Sequence, residues 1–326
     1  MAENVRGVVR IARETCHAPL RELAAADYDG LIDIREESMG VNSLVERLRP
    51  GGRIDDWRGH PVRGALLDVD GTSLGTHPDP SPAFLQACRA VQDAGLWLSF
   101  ATGRPPAGLD VLRRATGSPG PYVVHNGAQV LFDRGPGKMW PLPVEAVRTL
   151  ERWCIENGVY AEFAVGSGLL VTDFREAARA SWDEVAEPDG LVTDVDLASV
   201  GSCKATIPVF EPELLPALMA VCATLDVHVD PSSAPVFPGI TILNVTAAGV
   251  AKGSSVEWAA RQVGLVPQEL LVVGDSENDL SMFDVAGTAV AMGQAPPHVQ
   301  ARAHLVTGTF DDDGCATALR SCLERV

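Results

Sequence analysis

The chain lacks paired cysteines, long uncharged apolar runs and an excess of basic residues. Its seven cysteines are scattered without a CxxC pair, which argues against a disulfide framework. No uncharged stretch reaches the roughly 18 residues of a membrane span. The N-terminus carries charged side chains where a signal peptide needs an apolar run. The formal net charge of −17 would repel a phosphate backbone. We therefore expect a soluble, cytoplasmic protein that binds neither nucleic acid nor membrane, and we leave its oligomeric state open.

The 326 residues, 46% of them hydrophobic, suffice for more than one domain. Residues 1–60 hold no chemical motif, and we predict a helical N-terminal extension there. From residue 63 the runs "GALLDV", "LWLSFA" and "PYVVH" are typical of buried strands. Helical segments such as "SPAFLQACRAVQDAG" separate them, and this alternation predicts a doubly wound parallel sheet.

The pattern changes near residue 135. "VYAEFAVGSGLLVTDF" predicts two strands around a Gly-Ser-Gly turn, and the buried-strand pattern resumes only at "ELLVVGD". The expected fold class is α/β, with a Rossmann-like parallel core sheet and an inserted α+β cap domain. The core would comprise residues 61–134 and 244–326, and the insertion residues 135–243.

Polar residues stand where the core strands are predicted to end. Asp68 and Asp70 close the first strand, and Asp275 closes "ELLVVGD". Thr102-Gly103-Arg104 follows the second strand, and Lys252 lies at the start of the helix before "ELLVVGD". In an open parallel sheet, reactive groups gather in the crevice beyond these strand ends. We therefore expect the four sites to converge.

This set of residues suits phosphoryl transfer. A carboxylate can attack phosphorus to form an acyl-phosphate, and a second acid can protonate the leaving alcohol and later activate water. Several carboxylates in one place would repel each other unless a cation joins them, and oxygen ligation by few protein groups favours Mg²⁺. A hydroxyl, a lysine and backbone N–H groups would hold the phosphoryl oxygens.

Four motifs in order carry a family resemblance. "DVDGT", "ATGR", the lysine of "GVAKG" and "GDSENDLSM" resemble the four motifs of the haloacid dehalogenase superfamily of phosphohydrolases. "HNGA" before the insertion and "GVAKG" after it are similar to the Cof-like branch, which has an α/β cap. The resemblance covers about residues 63–326. It implies a Mg²⁺-dependent phosphatase that acts on a small phosphorylated metabolite, such as a sugar phosphate, through an aspartyl-phosphate.

The resemblance also implies roles by position. Asp68 matches the nucleophile, Asp70 the general acid/base, Thr102 the phosphate-binding hydroxyl and Lys252 the charge-balancing lysine. The implied metal ligands are Asp68, Asp70 (through its backbone carbonyl), Asp275 and Asp279. The implied substrate-binding residues are Gly103, Arg104, Asn126 and Asn278.

Several alternatives stay open at this point. A phosphomutase would use the same intermediate, and a silent binding or scaffold protein would need none of the four motifs. His125 is either a substrate contact or a hydrogen-bonded loop residue, and Arg104 is either a phosphate contact or a structural ion-pair partner. Asn244 stands where the family more often has an acidic residue, a departure that would alter contacts of the hinge or cap.

Overall fold

The computed structural model describes residues 48–53, 61–75, 79–135, 137–179, 182, 187–232 and 239–324. Of the predicted helical extension over residues 1–60, only residues 48–53 are among the described residues. The rest of that prediction lies outside them. Within the described ranges, no helix is both long enough and apolar enough to cross a lipid bilayer.

The described strands and helices alternate through the first and last parts of the chain. The strands are β1 (Arg49–Pro50), β2 (Gly64–Leu67), β3 (Trp97–Phe100), β4 (Tyr122–Val124), β5 (Gln129–Leu131), β6 (Lys138–Met139), β7 (Glu162–Val165), β8 (Gly168–Val171), β9 (Gly190–Leu191), β10 (Lys204–Val209), β11 (Val227–Ser232), β12 (Thr241–Ala247), β13 (Leu270–Gly274), β14 (Thr288–Ala291) and β15 (Leu305–Val306). The helices are α1 (Pro82–Asp93), α2 (Asp110–Thr116), α3 (Val144–Asn157), α4 (Leu197–Val200), α5 (Leu215–Cys222), α6 (Lys252–Gln262), α7 (Leu280–Val285), α8 (Pro297–Gln300) and α9 (Gly314–Cys322).

The core sheet has the strand order β1-β15-β14-β13-β2-β3. All its neighbours pair in parallel except β1, which pairs antiparallel with β15 at one edge. Its central strands are apolar on both sides, as parallel strands covered by helices require. Leu67 and Val273 pack in one apolar layer with α1 and α9, and Leu66 and Val272 pack in the other with α6 and α7. The sheet is thus doubly wound, as predicted.

The third predicted core strand, "PYVVH", joins a different sheet. β4 pairs antiparallel with β5, and β5 with β6, in a small three-stranded sheet. A single parallel bridge between Ala101 and Val123 connects β4 to the end of β3. This small sheet spans residues 122–139, so its strands lie on both sides of the predicted boundary at 134/135.

A second sheet has the strand order β11-β12-β10-β7-β8-β9 and is antiparallel except for the β8–β9 pair. One of its faces is apolar: Phe163, Ala205 and Ile207 are buried in a cluster with residues of α3 and α5. The two strands predicted around the Gly-Ser-Gly turn are β7 and β8. The second sheet continues to Ala247, past the predicted boundary at 243/244.

Candidate active site

The carboxyl ends of β3, β2 and β13 bring the predicted residues to one edge of the core sheet. These strands are neighbours and parallel, so their carboxyl ends coincide. Asp68 directly follows β2, Asp275 directly follows β13, and Thr102 follows the bridge residue after β3. Lys252 is the first residue of α6. The predicted convergence of these four sites is therefore present in the fold.

The ammonium group of Lys252 links two buried carboxylates. Its Nζ lies 2.6 Å from Asp68 Oδ1 and 2.7 Å from Asp279 Oδ1. Burial disfavours the charged form of Lys252, but the charges of Asp279 and Asp68 outweigh it and raise the pKa of the ammonium. Lys252 therefore remains cationic at neutral pH and fixes one oxygen of each carboxylate.

Asp279 is held on both of its oxygens. Its Oδ2 accepts hydrogen bonds from the backbone N–H groups of Asp275 (2.9 Å) and Ser276 (3.1 Å), and its Oδ1 faces Lys252. The side chain thus closes the turn between β13 and α7. Asp279 therefore holds the loop that carries Asp275, in addition to its place in the carboxylate cluster.

Asp275 fits against a backbone position where only glycine leaves room. Gly71 has φ +75, and a Cβ there would lie 2.2 Å from Asp275 Oδ2. Burial, followed by the charge of Asp279, raises the pKa of Asp275 to about 7. Gln294 supports the loop that carries Gly71, because its Nε2 donates a hydrogen bond to the backbone oxygen of Gly71 (2.6 Å).

The carboxylates of Asp68, Asp275 and Asp279 each place an oxygen within 4.8 Å of the other two. Asp68 Oδ2 and Asp275 Oδ1 are buried and have no hydrogen-bond partner among the described residues. Burial and the neighbouring carboxylate of Asp279 raise the pKa of Asp68, whereas Lys252 lowers it. Three clustered carboxylates, two of them in contact with one ammonium, have two oxygens without a partner among the described residues, and they fit a small divalent cation that prefers oxygen ligands.

Asp70 stands apart from this cluster. Its side chain is 49% exposed, and it forms an ion pair with Arg104, whose Nε lies 3.0 Å and Nη2 2.5 Å from Asp70 Oδ1. Because the carboxylate turns to Arg104, only the backbone carbonyl of Asp70 is left as a candidate ligand, as the family resemblance implies. The ion pair also gives Arg104 a structural contact within the site.

The loop after β3 is held by the loop after β4. The Oγ1 of Thr102 accepts from the Arg104 backbone N–H (3.0 Å), while the N–H of Asn126 donates to the Thr102 carbonyl (3.0 Å). A Cβ on Gly103 would lie 2.7 Å from Asn126 Oδ1, which explains the glycine. Asn278 Nδ2 approaches the same Asn126 oxygen at 3.4 Å. The predicted substrate-binding residues therefore form one contiguous group.

His125 lies in this group as a buried residue. Its backbone N–H donates to the Arg104 carbonyl (3.0 Å), and its φ of 54 lies in the left-handed region. Burial and the charge of Lys204 lower the pKa of His125 to about 3. The imidazole is thus neutral across the physiological range.

The second sheet brings to the site a lysine, Lys204, that was not predicted there, and Glu162 lies on the same face of that sheet. Glu162 and Lys204 lie on the face of the second sheet that is opposite its apolar cluster. Glu162 on β7 is in register with Thr206 on β10, and Lys204 on β10 with Ala164 on β7. Lys204 Nζ donates to the backbone oxygen of Gly103 (3.1 Å). The alternation in "CKATIPV" separates the two faces of β10, but it does not tell which face meets the core.

The chain matches a known protein family over most of its length. A family model of haloacid dehalogenase-like hydrolases matches residues 65–319, which is most of the chain. The chain belongs to this family.

Individual relatives match over most of their length. A phosphoglycolate phosphatase of Methanoculleus marisnigri is 25% identical over 259 residues, covering 79% of this chain and 96% of the relative. A pyridoxal phosphate phosphatase of Escherichia coli is 24% identical over 276 residues, covering 80% and 99%. The structure of a sugar phosphatase of haloacid dehalogenase subclass IIB superposes with a TM-score of 0.70 and 25% identity, covering 79% of this chain and 98% of that chain.

These findings confirm three predictions from the sequence. The fold class is α/β with a Rossmann-like core and a cap, the family is the haloacid dehalogenase superfamily in its Cof-like branch, and the enzyme is a phosphoric monoester hydrolase.

Proposed function

We propose that the protein is a Mg²⁺-dependent phosphatase that hydrolyses a small phosphorylated metabolite through an aspartyl-phosphate on Asp68. One observation carries the proposal: a buried lysine fixes one oxygen of Asp68, while the other oxygen has no partner among the described residues. Asp275 Oδ1, on a carboxylate of the same cluster, has none either. A structural ion pair would have no reason to leave two buried carboxylate oxygens unsatisfied.

The free oxygens of Asp68 and Asp275 would hold the ion, with the Asp70 carbonyl and Asp279 as the remaining members of the proposed ligand set. Bound there, Mg²⁺ would relieve the repulsion among the carboxylates and withdraw charge from the phosphoryl oxygens.

The remaining steps belong to the chain's own residues. A carboxylate oxygen of Asp68 forms a bond to phosphorus while the bond from phosphorus to the leaving oxygen breaks. The Thr102 hydroxyl and the N–H groups of its loop bind the phosphoryl oxygens, and Lys252 balances their charge. Positioning of the substrate and neutralisation of the phosphoryl charge would account for most of the rate acceleration.

Asp70 transfers the protons in both steps of the reaction. It gives a proton to the leaving oxygen, then takes one from the water that attacks the aspartyl-phosphate and releases inorganic phosphate. Arg104 now holds the Asp70 carboxylate. A negatively charged substrate would compete for the guanidinium and so free Asp70 to carry the proton.

We assign this chemistry to residues 61–134 and 244–326, and the selection of the leaving group to residues 135–243. The names of the relatives, a phosphoglycolate phosphatase, a pyridoxal phosphate phosphatase and a sugar phosphatase, all support a small phosphoester as the substrate. The described cysteines are buried thiols, which supports a reducing compartment such as the cytoplasm.

Replacing the nucleophile tests the proposal. Asp68→Asn is nearly isosteric, but the amide is a poor nucleophile and a weak ligand, so phosphate release from an aryl phosphate should fall by about a thousandfold or more. Asp133→Asn is the matched control, because Asp133 forms an exposed ion pair with Arg113 away from the site. Near-normal turnover by a folded Asp68→Asn variant would contradict the mechanism, and so would wild-type turnover that persists in a chelator.

A further inference from the structure

Lysine is rare in this chain, and two of its three lysines are buried at the site. Lys138, Lys204 and Lys252 are the only lysines among 26 basic residues. Lys138 lies over the ring of Trp140, 4.5 Å from its centroid, whereas Lys204 and Lys252 are 5% and 1% exposed. An ammonium group is a compact point charge with three donors. Its use at two buried positions indicates a specific ligand for each.

Lys252 has its counter-ions, but in the part of the chain that the structure describes Lys204 has none within ion-pair distance. Among the described residues, Lys204 makes a hydrogen bond to the Gly103 carbonyl and has no carboxylate within ion-pair distance of Nζ. Two of its three N–H donors are therefore available. Burial lowers the pKa of Lys204 to about 8, although the charge of Glu162 acts in the opposite direction.

Glu162 is engaged by its own neighbours. Its Oε1 accepts a hydrogen bond from Tyr160 (2.9 Å), and the Tyr160 hydroxyl accepts one from Trp182 Nε1 (2.7 Å). This chain of donors fixes the Glu162 carboxylate beyond ion-pair distance from Lys204. A buried cation without a paired anion is unfavourable. We therefore expect an anion from outside the chain to bind next to Lys204 and balance its charge.

A second unpartnered donor lies beside the same loop. The Nδ2 of Asn126 is buried and has no hydrogen-bond partner among the described residues. It lies 3.8 Å from the point where a Gly103 side chain would begin. Lys204 Nζ and Asn126 Nδ2 thus both lie next to Gly103, one from the second sheet and one from the loop after β4.

We propose that Lys204 and Asn126 form a subsite for a negatively charged group on the leaving half of the substrate, either a carboxylate or a second phosphoryl group. Lys204 enters from the second sheet and contacts the Gly103 carbonyl, beside Thr102, whereas Asp68 follows a strand of the core sheet. A phosphoester whose phosphoryl group is bound at Asp68 and Thr102 would therefore extend its alcohol half toward the second sheet and Lys204. The inference rests on the proposed phosphatase function and narrows its substrate to phosphoesters with an anionic leaving group.

Binding of phosphonates, which cannot be hydrolysed, tests the subsite without turnover. The probes are 3-phosphonopropionate (a carboxylate arm), propane-1,3-diphosphonate (a second phosphoryl arm) and propylphosphonate (a neutral arm), titrated calorimetrically with Mg²⁺ present. The wild type should bind one of the two probes that carry an anionic arm about 10- to 100-fold more tightly than propylphosphonate, as hydrogen bonds to a charged group allow. The arm that is preferred identifies the anion.

Lys204→Met should abolish the preference for the probe with the anionic arm. The affinity for propylphosphonate should stay unchanged, and this unchanged affinity shows that the site of the variant is intact. Lys204→Gln provides a second variant, and Lys138→Met is the matched control that should keep the preference. Equal binding of all three probes by the wild type would overturn the subsite. An equal loss for all three in both Lys204 variants would overturn it too, since Lys204 would then serve the phosphoryl group or the fold.

Hydrolysis separates this inference from the proposed function. Turnover of ethyl phosphate as fast as that of 2-phosphoglycolate and of ethylene glycol bisphosphate would overturn the subsite while supporting the phosphatase. A Lys204-dependent preference in binding, with no hydrolysis of any phosphoester, would overturn the proposed function and retain the anion subsite.

Discussion

The tight contact between Gly71 and Asp275 allows a prediction that separates the metal site from the stability of the fold. Gly71→Ala places a methyl group where the structure has a carboxylate oxygen at 2.2 Å. Gly95→Ala is the matched control, because Gly95 has nearly the same left-handed φ (+78 against +75) and nothing within 4 Å of the added Cβ.

Both variants should lose stability through the same backbone strain. A side chain in the left-handed region costs roughly 1–2 kcal/mol. For a domain of this size that corresponds to a decrease in Tm of about 2–8 °C. Thermal unfolding in the presence of a chelator measures this shared effect without a contribution from bound metal.

Only Gly71→Ala should change the metal requirement. The Asp275 carboxylate must move by about 1 Å to restore ordinary contact, and displacing a ligand's support typically weakens metal binding by about 10- to 100-fold. The Mg²⁺ concentration for half-maximal aryl phosphatase activity should rise accordingly in Gly71→Ala and stay unchanged in Gly95→Ala. Identical Mg²⁺ curves for the two folded variants would refute the assignment of Asp275 to the metal.

Two further predictions concern the N-terminal segment and the fate of the aspartyl-phosphate. A chain that begins at Leu48 and one that begins at Arg63 should both hydrolyse an aryl phosphate, because the site residues all lie beyond Arg63. The shorter chain should unfold at lower temperature, since it loses the hydrogen bonds from Gly51 to His304 (2.8 Å) and from Arg53 to Ala303 (3.0 Å); equal Tm values would contradict this. In ¹⁸O-enriched water, a hydrolase should place label in the released phosphate without a bisphosphate activator. An isomerised sugar phosphate with little free phosphate would instead establish a mutase.

The positions of the site residues at the ends of the core strands could be predicted from the sequence, because they depend on strand order alone. Asp68 and Asp275 each follow a continuous apolar run, and parallel strands bring such ends together whatever the details of packing. The chemistry that follows from clustered carboxylates near a lysine needs no further geometry. This part of the site was therefore accessible from the sequence.

The direction of Asp70 and the position of Lys204 depend on tertiary contacts instead. Asp70 is two residues from Asp68, but β2 ends at Leu67 and the following turn sends its carboxylate to Arg104. Lys204 and Gly103 are 101 positions apart. Their contact depends on how the second sheet is placed against the core, which strand alternation does not specify.

The charges of the site suggest why catalysis and selectivity can vary separately. The net charge of −17 opposes an anionic substrate, so local cations must attract it. Lys252 and Arg104 are already paired with Asp68, Asp279 and Asp70. In the proposed mechanism, those pairs serve the phosphoryl group, which every phosphoester carries. Lys204 comes from a different sheet and lacks such a pair among the described residues. If the proposed subsite holds, changing Lys204 alters which leaving group is accepted without disturbing Asp68.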